Sequence, residues 1–184
     1  ELTGGSFVFV EEGSTNGDNG YVFTHTGAPT FGTPEAGQMI LAAGQLARRL
    51  GVPLHTVGTL SASKIADAQS QQEGTWGLIM SLFAGANVIN HATGWLEGGL
   101  VTSFEKTMMD ADLCGKLCRF FEGIDLSENA QAMDAIAATG PGQHFLGSEH
   151  TQANFLTALF RPDLADNNSY EQWQADGQLG MAQR

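Results

Sequence analysis

Apolar positions along the chain fall into two rhythms, a short alternation typical of strands and a three-to-four spacing typical of helices. Residues 6–11 (Ser-Phe-Val-Phe-Val-Glu) are β-branched and aromatic and read as a strand. A Gly, Asn and Asp rich stretch follows as far as Thr33. Two readings are open for it: a hairpin returning through residues 21–26 on the turn chemistry of Asp18-Asn19-Gly20, or, the preferred one, a single strand followed by a long functional loop. Thr33 and Pro34 make an N-cap and first-turn pair, after which Ala36, Met39, Ile40, Ala43, Ala47 and Leu50 recur at helical spacing until Gly51. Residues 53–58 form a compact strand. Asp67 caps a second helix with Ala68, Trp76, Ile79 and Phe83 on one side, and residues 86–91 form the next strand. Thr102 and Glu105 read as a capping box for a third helix whose apolar stripe is Phe104, Met108, Ala111, Cys114, Cys118 and Phe121. Further helices are expected over residues 127–138, 148–160 and 169–176, with Gly140-Pro141-Gly142 as a breaker and Ser169 with Gln172 as a capping box.

Strands that alternate with amphipathic helices imply a parallel sheet with right-handed crossovers, so the fold class is α/β. The visible βα units fall short of a (β/α)₈ barrel, which leaves a doubly wound sheet as the competing architecture. That alternative lacks its usual signature: neither Gly-x-Gly-x-x-Gly nor Gly-x-x-x-x-Gly-Lys occurs, and a nucleotide site has no support.

Charge narrows the partners. Acidic residues outnumber basic ones 20 to 8, for a net charge of −12, and the basic ones are scattered. Nucleic acid and anionic membranes are therefore not expected as partners, which leaves small molecules and proteins. No apolar run approaches the roughly 18 residues that span a bilayer, and no export signal is visible, so a cytoplasmic location is expected. The chain opens on Glu1, not Met, and is expected to be a piece of something longer. Cys114 and Cys118 fit neither a disulfide scaffold nor a zinc spacing and read as reduced core residues.

The candidate chemistry concentrates in residues 85–100, where a strand runs into a glycine-rich loop carrying His91, Trp95 and Glu97. Loops leaving the carboxyl ends of parallel strands hold ligands in α/β enzymes. An aromatic face, a carboxylate and an imidazole together suit a cation, and the competing reading makes Trp95 a hydrophobic plug and Glu97 a helix cap. The alternation Asn87, Ile89, His91 is consistent with one shared face; if that face is a barrel lumen, His91 lies at its mouth and could orient a ligand carboxylate, a hydrogen-bonded structural histidine being the alternative. Lys64, with Ser61 and Ser63, occupies the loop after the middle strand, where a cation could bind a substrate carboxylate while also repelling an ammonium nitrogen. Tyr21, with Glu11 and Glu12, belongs to the first long loop, for which a solvated acidic turn is the alternative. His144 and His150 flank Glu149 but do not make a zinc-helix motif, so no metal is assigned.

Several separated blocks resemble one family. Thr26-Gly-Ala-Pro-Thr-Phe-Gly-Thr-Pro-Glu35, Gln45-Leu-Ala-Arg-Arg-Leu-Gly-Val-Pro53, Gly94-Trp-Leu-Glu-Gly-Gly-Leu100, Gly140-Pro-Gly-Gln-His-Phe-Leu-Gly147, Glu149-His-Thr and Leu164-Ala-Asp-Asn-Asn-Ser-Tyr-Glu-Gln-Trp173 together are similar to the trimethylamine methyltransferase family. The resemblance implies the carboxyl-terminal part of a TIM (β/α)₈ barrel with additional C-terminal helices. Residues 1–125 would be the last βα units, and residues 126–184 a helical extension packed on the barrel. It further implies transfer of a methyl group from a methylated amine to the cobalt of a corrinoid (cobalamin) carried on a separate corrinoid protein. The archaeal trimethylamine enzymes carry pyrrolysine; this sequence has none, the aligned stretch being Val57-Gly-Thr-Leu-Ser-Ala-Ser-Lys64. The chain thus resembles the non-pyrrolysine branch, for which a quaternary amine such as glycine betaine is the expected substrate. The expected substrate-binding set is Trp95, Glu97, His91, Tyr21 and Lys64. Gly142 and His144 are expected to approach the corrinoid or its carrier, because glycine permits close backbone contact. A noncatalytic binding or scaffolding homologue is the alternative, and a homo-oligomer is compatible with either.

Overall fold

The computed structural model describes residues 7–10, 20–23 and 30–184, and it is a mixed α/β structure. Its strands form three two-stranded sheets: β1 (Phe7–Val10) with β2 (Gly20–Phe23), β3 (His55–Val57) with β4 (Val88–Asn90), and β5 (Trp95–Leu96) with β6 (Val101–Thr102). Only β3 and β4 are parallel, among the described residues. The first strand therefore returns as an antiparallel hairpin, with Val10 opposite Gly20 and Phe9 opposite Tyr21, instead of standing alone before a long loop. The physical reason lies in Gly-Tyr-Val-Phe, a second β-prone run able to pair with Phe-Val-Phe-Val. Glu11 and Glu12 lie outside the described residues.

Helix α1 (Pro34–Leu50) starts where the sequence places it: the Thr33 hydroxyl accepts from the Ala36 amide, and Gly51 closes the helix in the left-handed region at φ +68°. Helix α2 (Ala68–Phe83) is capped by Asp67 in a reciprocal box with Ser70. Its inner face differs from the expected one. Ser70, Gly74, Leu78 and Ser81 are buried, whereas Trp76 and Phe83 are exposed. Small residues win this face because the helix lies against strand backbone, and a Cβ on Gly77 would stand 2.7 Å from the Gly58 carbonyl oxygen. The core between α1, α2 and β3 is Ala47, Leu54 and Ala84, with Ile40, Leu41, Ala43 and Ala86 at its edge.

Helix α3 (Phe104–Phe121) also turns a different side inward. Phe104 is 91% and Met108 60% exposed, Cys118 is exposed, and Lys106, Met109, Asp110 and Asp112 are buried instead. Its N-terminus is capped by Ser103, whose hydroxyl accepts from the Lys106 amide, while Thr102 belongs to β6. Cys114 is half-buried, with its thiol donating to the Ala92 carbonyl.

The chain divides into two compact units, one reaching Cys114 and including Leu164–Arg184, the other Gly115–Asp163. The second holds α4 (Glu128–Gln131), α5 (Met133–Thr139) and α6 (Glu149–Asn154), all shorter than the periodicity suggests. Ala132, at φ +52°, splits the first expected helix, and Phe155 ends α6. Helix α7 (Tyr170–Ala175) belongs to the first unit and is capped by Ser169. No described helix is long and apolar enough to cross a membrane.

Candidate functional site

The carboxyl ends of β3 and β4 carry the chemistry-bearing residues, and backbone hydrogen bonds join the loops that leave them. The ladder continues past the strands through Gly58 N to Asn90 O (2.7 Å) and Thr59 N to His91 O (3.0 Å). Beyond that, Glu97 N donates to Ser63 O and Gly98 N to Ser61 O, each at 2.8 Å, closing one loop onto the other. The parallel register pairs Thr56 with Ile89 and Val57 with Asn90. Leu54 points into the helical core, so Thr56 and Ile89 share that side by alternation, and His55, Val57, Val88 and Asn90 share the opposite face. Ile89 thus stands on the helix-packed side of the pair, with Val88 and Asn90 on the other. Asn87 accepts from the Leu54 amide at 2.8 Å, which ties down the start of β4.

His91 leaves the strand in the left-handed region, at φ +51°, and this turn redirects the chain. Its ring meets Trp95 edge to face, with centroids 5.0 Å apart and planes at 85°. Trp95 is half-buried on β5 opposite Thr102, so the expected loop contains a small antiparallel ribbon around a 3-10 turn, Glu97–Gly99. Glu97 is half-buried and, like His91, left-handed at φ +49°, and its carboxylate has no hydrogen bond or ion pair among the described residues. Two of the four non-glycine residues with positive φ among the described residues therefore lie within seven positions of each other at this site. Each such backbone costs about 1–2 kcal/mol for an L-residue, an expense that clusters where function requires a fixed direction.

Two carboxylates, half-buried Glu73 and fully buried Asp110, hold both loops. Glu73 on α2 accepts from the Ser61 hydroxyl (2.8 Å) and the Ala62 amide (2.7 Å). Asp110 on α3 accepts from Lys106 Nζ through both oxygens (2.9 and 2.7 Å), from Thr59 Oγ1 (2.8 Å), from the Gly94 amide (2.8 Å) and from Gln71 Nε2 (3.1 Å). Lys106 and Asp110 are both 0% exposed. Removing one partner would strand a buried charge, at about 3–5 kcal/mol. Asp67, at the end of the first loop, is held below the usual aspartate range, foremost by the Ser70 amide and also by the Ser63 hydroxyl.

The remaining predicted residues are dispersed. Lys64 is exposed, and its ammonium folds back onto the Ala62 carbonyl at 2.7 Å. Tyr21 is placed by its backbone on β2, and its side chain lies outside the described residues. Gly142 (φ +78°) and His144 are exposed in the second unit, where His144 lines a cavity of about 580 Å³ with Asp134, Thr139, Glu149 and His150. Among the described residues no group of three His, Cys, Asp or Glu is placed to hold a metal ion. Sequence reasoning missed Lys106, Asp110, Thr59, Glu73 and Gln71. The signal available for them was the small-residue face of α2, which marks a helix pressed against polar backbone.

Comparison with known proteins adds the lineage. Residues 21–184 match the model of the family described as trimethylamine methyltransferase (MTTB). The chain is 36% identical over 148 residues to a glycine betaine methyltransferase of Desulfitobacterium hafniense (strain Y51), covering 80% of this chain and 31% of that protein. It is 32% identical to trimethylamine methyltransferase MttB of Methanosarcina thermophila (85% and 32% covered) and 31% identical to MttB of Methanosarcina barkeri (85% and 31% covered). The chain thus spans about a third of the length of these relatives.

Proposed function

Because the chain belongs to the trimethylamine methyltransferase family, we propose that it is part of an enzyme moving a methyl group from a quaternary amine of the glycine betaine kind to a corrinoid on a separate protein. The observation that carries this reading is the trio at the ends of the parallel strands: the Trp95 indole braced by His91, with the Glu97 carboxylate, which has no hydrogen bond or ion pair among the described residues, two residues on. An onium cannot donate a hydrogen bond through its methyl groups, so aromatic faces and a nearby negative charge are what recognise it. A tryptophan face contributes about 0.5–2 kcal/mol, according to desolvation. Lys64, once released from its own loop, supplies the charge that would orient a substrate carboxylate.

The carrier's Co(I) would supply the nucleophile. The residues of this chain then have positioning to do: they place one N-methyl group toward the open side and exclude water from it. A quaternary nitrogen departs as a neutral amine without taking a proton, which agrees with a site whose imidazole meets the indole edge to face and has no hydrogen-bonded acid or base among the described residues. Gly142 and His144 are proposed contacts for the corrinoid protein.

The same reading makes β3 and β4 neighbouring strands of a TIM barrel, with residues 1–125 as its last βα units, residues 126–184 as a helical extension, and the whole in the cytoplasm. Val88 is 54% exposed on the face it shares with His55, and the buried His55 Nε2 finds no partner among the described residues. Both features agree with further strands lying against this face. The test is methyl transfer itself. The intact protein, incubated with reduced corrinoid carrier and a panel of glycine betaine, trimethylamine and related amines, should convert the Co(I) spectrum to methyl-Co(III) with quaternary substrates. Betaine binding without methylation would favour a noncatalytic homologue, and neither binding nor methylation would overturn the assignment.

A further inference from the structure

We infer that Asp110, with Lys106 as its counter-ion, is a positioning residue that fixes the Gly94 amide and thereby sets the direction of Trp95. The inference rests on the proposed onium site for its ligand, but its structural part stands on the geometry alone. Asp110 joins four places in one unit: Lys106 on its own helix, Thr59 just beyond β3, Gln71 on α2 and Gly94 in the loop beyond β4. Its Oδ2 alone takes Lys106, Thr59 and Gly94, at 2.7, 2.8 and 2.8 Å. Gly94 is held on its other side as well, its carbonyl accepting from the Ser103 amide at 3.0 Å. It sits at φ +83°, and a Cβ there would collide with the Thr107 hydroxyl, so the backbone comes as near to α3 as a residue can. The next residue is Trp95.

A fully buried ion pair is a poor device for stability, since apolar residues of similar volume serve as well or better. What such residues cannot do is accept a loop amide. The arrangement is therefore explained by the loop it holds and not by the charge it buries. Lys106 neutralises the carboxylate in place, so Asp110 holds the loop without adding an unpaired negative charge beneath it.

The experiment compares two variants of the intact protein with the parent: Asp110→Asn, and the double variant Lys106→Met with Asp110→Leu, which removes both charges together. Glycine betaine binding is measured by calorimetry at a temperature where each protein is folded. Amide hydrogen exchange is followed for residues 92–97 against residues 104–114. Asp110→Asn should bind betaine at least tenfold more weakly, and its exchange should rise more at 92–97 than at 104–114. The double variant should remain folded, with a Tm lowered by the loss of the partner of the Gly94 amide, and retain both defects. Parent-like affinity and loop protection in a stable double variant would overturn the proposal, because the carboxylate would then be a replaceable core group. Exchange that rises equally in both segments of Asp110→Asn would also count against it. Should the parent itself fail to bind betaine, the onium reading falls, and the exchange comparison alone still decides the role of Asp110.

Discussion

Glu97 offers a test in which stability and binding should move in opposite directions. Its backbone is left-handed at φ +49°, followed by Gly98 at +65° and Gly99 at +93°, so the chain turns through three such residues in succession. An L-residue pays about 1–2 kcal/mol in that region, and glycine pays nothing there. Glycine has more freedom to lose from the unfolded chain, about 0.5–1 kcal/mol. Comparing Glu97→Gly with Glu97→Ala cancels the loss of the carboxylate, and the glycine variant should be more stable by roughly 0.5–1 kcal/mol. At an ordinary position the order is reversed. Urea denaturation of the two variants measures the difference as a shift in midpoint at constant slope. Both variants also lose the carboxylate two residues from Trp95. A unit charge at contact distance contributes about 1 kcal/mol in water and about 4 kcal/mol near a protein surface, so betaine affinity should fall at least about fivefold in each. An alanine variant as stable as the glycine one would show that the left-handed turn is not a cost. Unchanged affinity in both would remove Glu97 as counter-charge.

Trp95→Ala should weaken betaine binding by about 2- to 30-fold, as expected for one aromatic face, and Trp95→Phe should recover part of it; equal affinity in a folded alanine variant would take the indole out of the site. Gly77→Ala adds a methyl group 2.7 Å from the Gly58 carbonyl oxygen, and the resulting overpacking of about 1–3 kcal/mol should outweigh the roughly 1 kcal/mol gained in helix propensity, so a raised Tm would refute the close approach. Acid should destabilise the fold in a definite window. The Ser70 amide lowers the pKa of Asp67 and the Ser103 hydroxyl that of Glu105, so their stabilisation is present above the ordinary carboxylate range of about 4 and is lost as pH falls through the lower folded values. A series of Tm values from pH 7 down to about 2.5 should therefore stay level and then fall. Asp67→Asn keeps an acceptor for the cap without titrating, and a curve identical to the parent's would exclude Asp67 from the effect.

Local signals were legible where a few adjacent residues decide the outcome. Thr33-Pro34, Asp67 and Ser169 each cap the helix that the sequence assigns them, because a side-chain oxygen needs only an amide two or three positions away. Periodicity also found α2 and α3, yet it chose the wrong face of both. Phe104, Met108 and Cys118 form a convincing stripe on paper, but the inward side of α3 is decided by Thr59 and Gly94, which are far from it in sequence and supply what Asp110 must accept. The loop carrying His91, Trp95 and Glu97 stands out by its composition as a candidate site. Its geometry was not, since the left-handed turns at His91 and Glu97 fall on residues whose type does not call for them.

The two carboxylates beneath the site explain why polar groups displaced apolar ones there. The ladder of β3 and β4 ends within a residue or two of Val57 and Asn90, and beyond it every main-chain amide of the two loops needs a partner that no sheet supplies. Part of that need is met between the loops, through Glu97 with Ser63 and Gly98 with Ser61. The rest falls to side chains: Glu73 takes the Ala62 amide and Asp110 takes that of Gly94. An apolar face on α2 or α3 would have left those amides buried and unpaired, at about 1–3 kcal/mol each. The price of irregular backbone at the strand ends is thus a polar underside, and the same underside gives the aromatic and acidic groups above it a fixed floor. Fold and proposed chemistry meet at this point, because a cation that offers no hydrogen bond through its methyl groups can be oriented only by groups that do not themselves move.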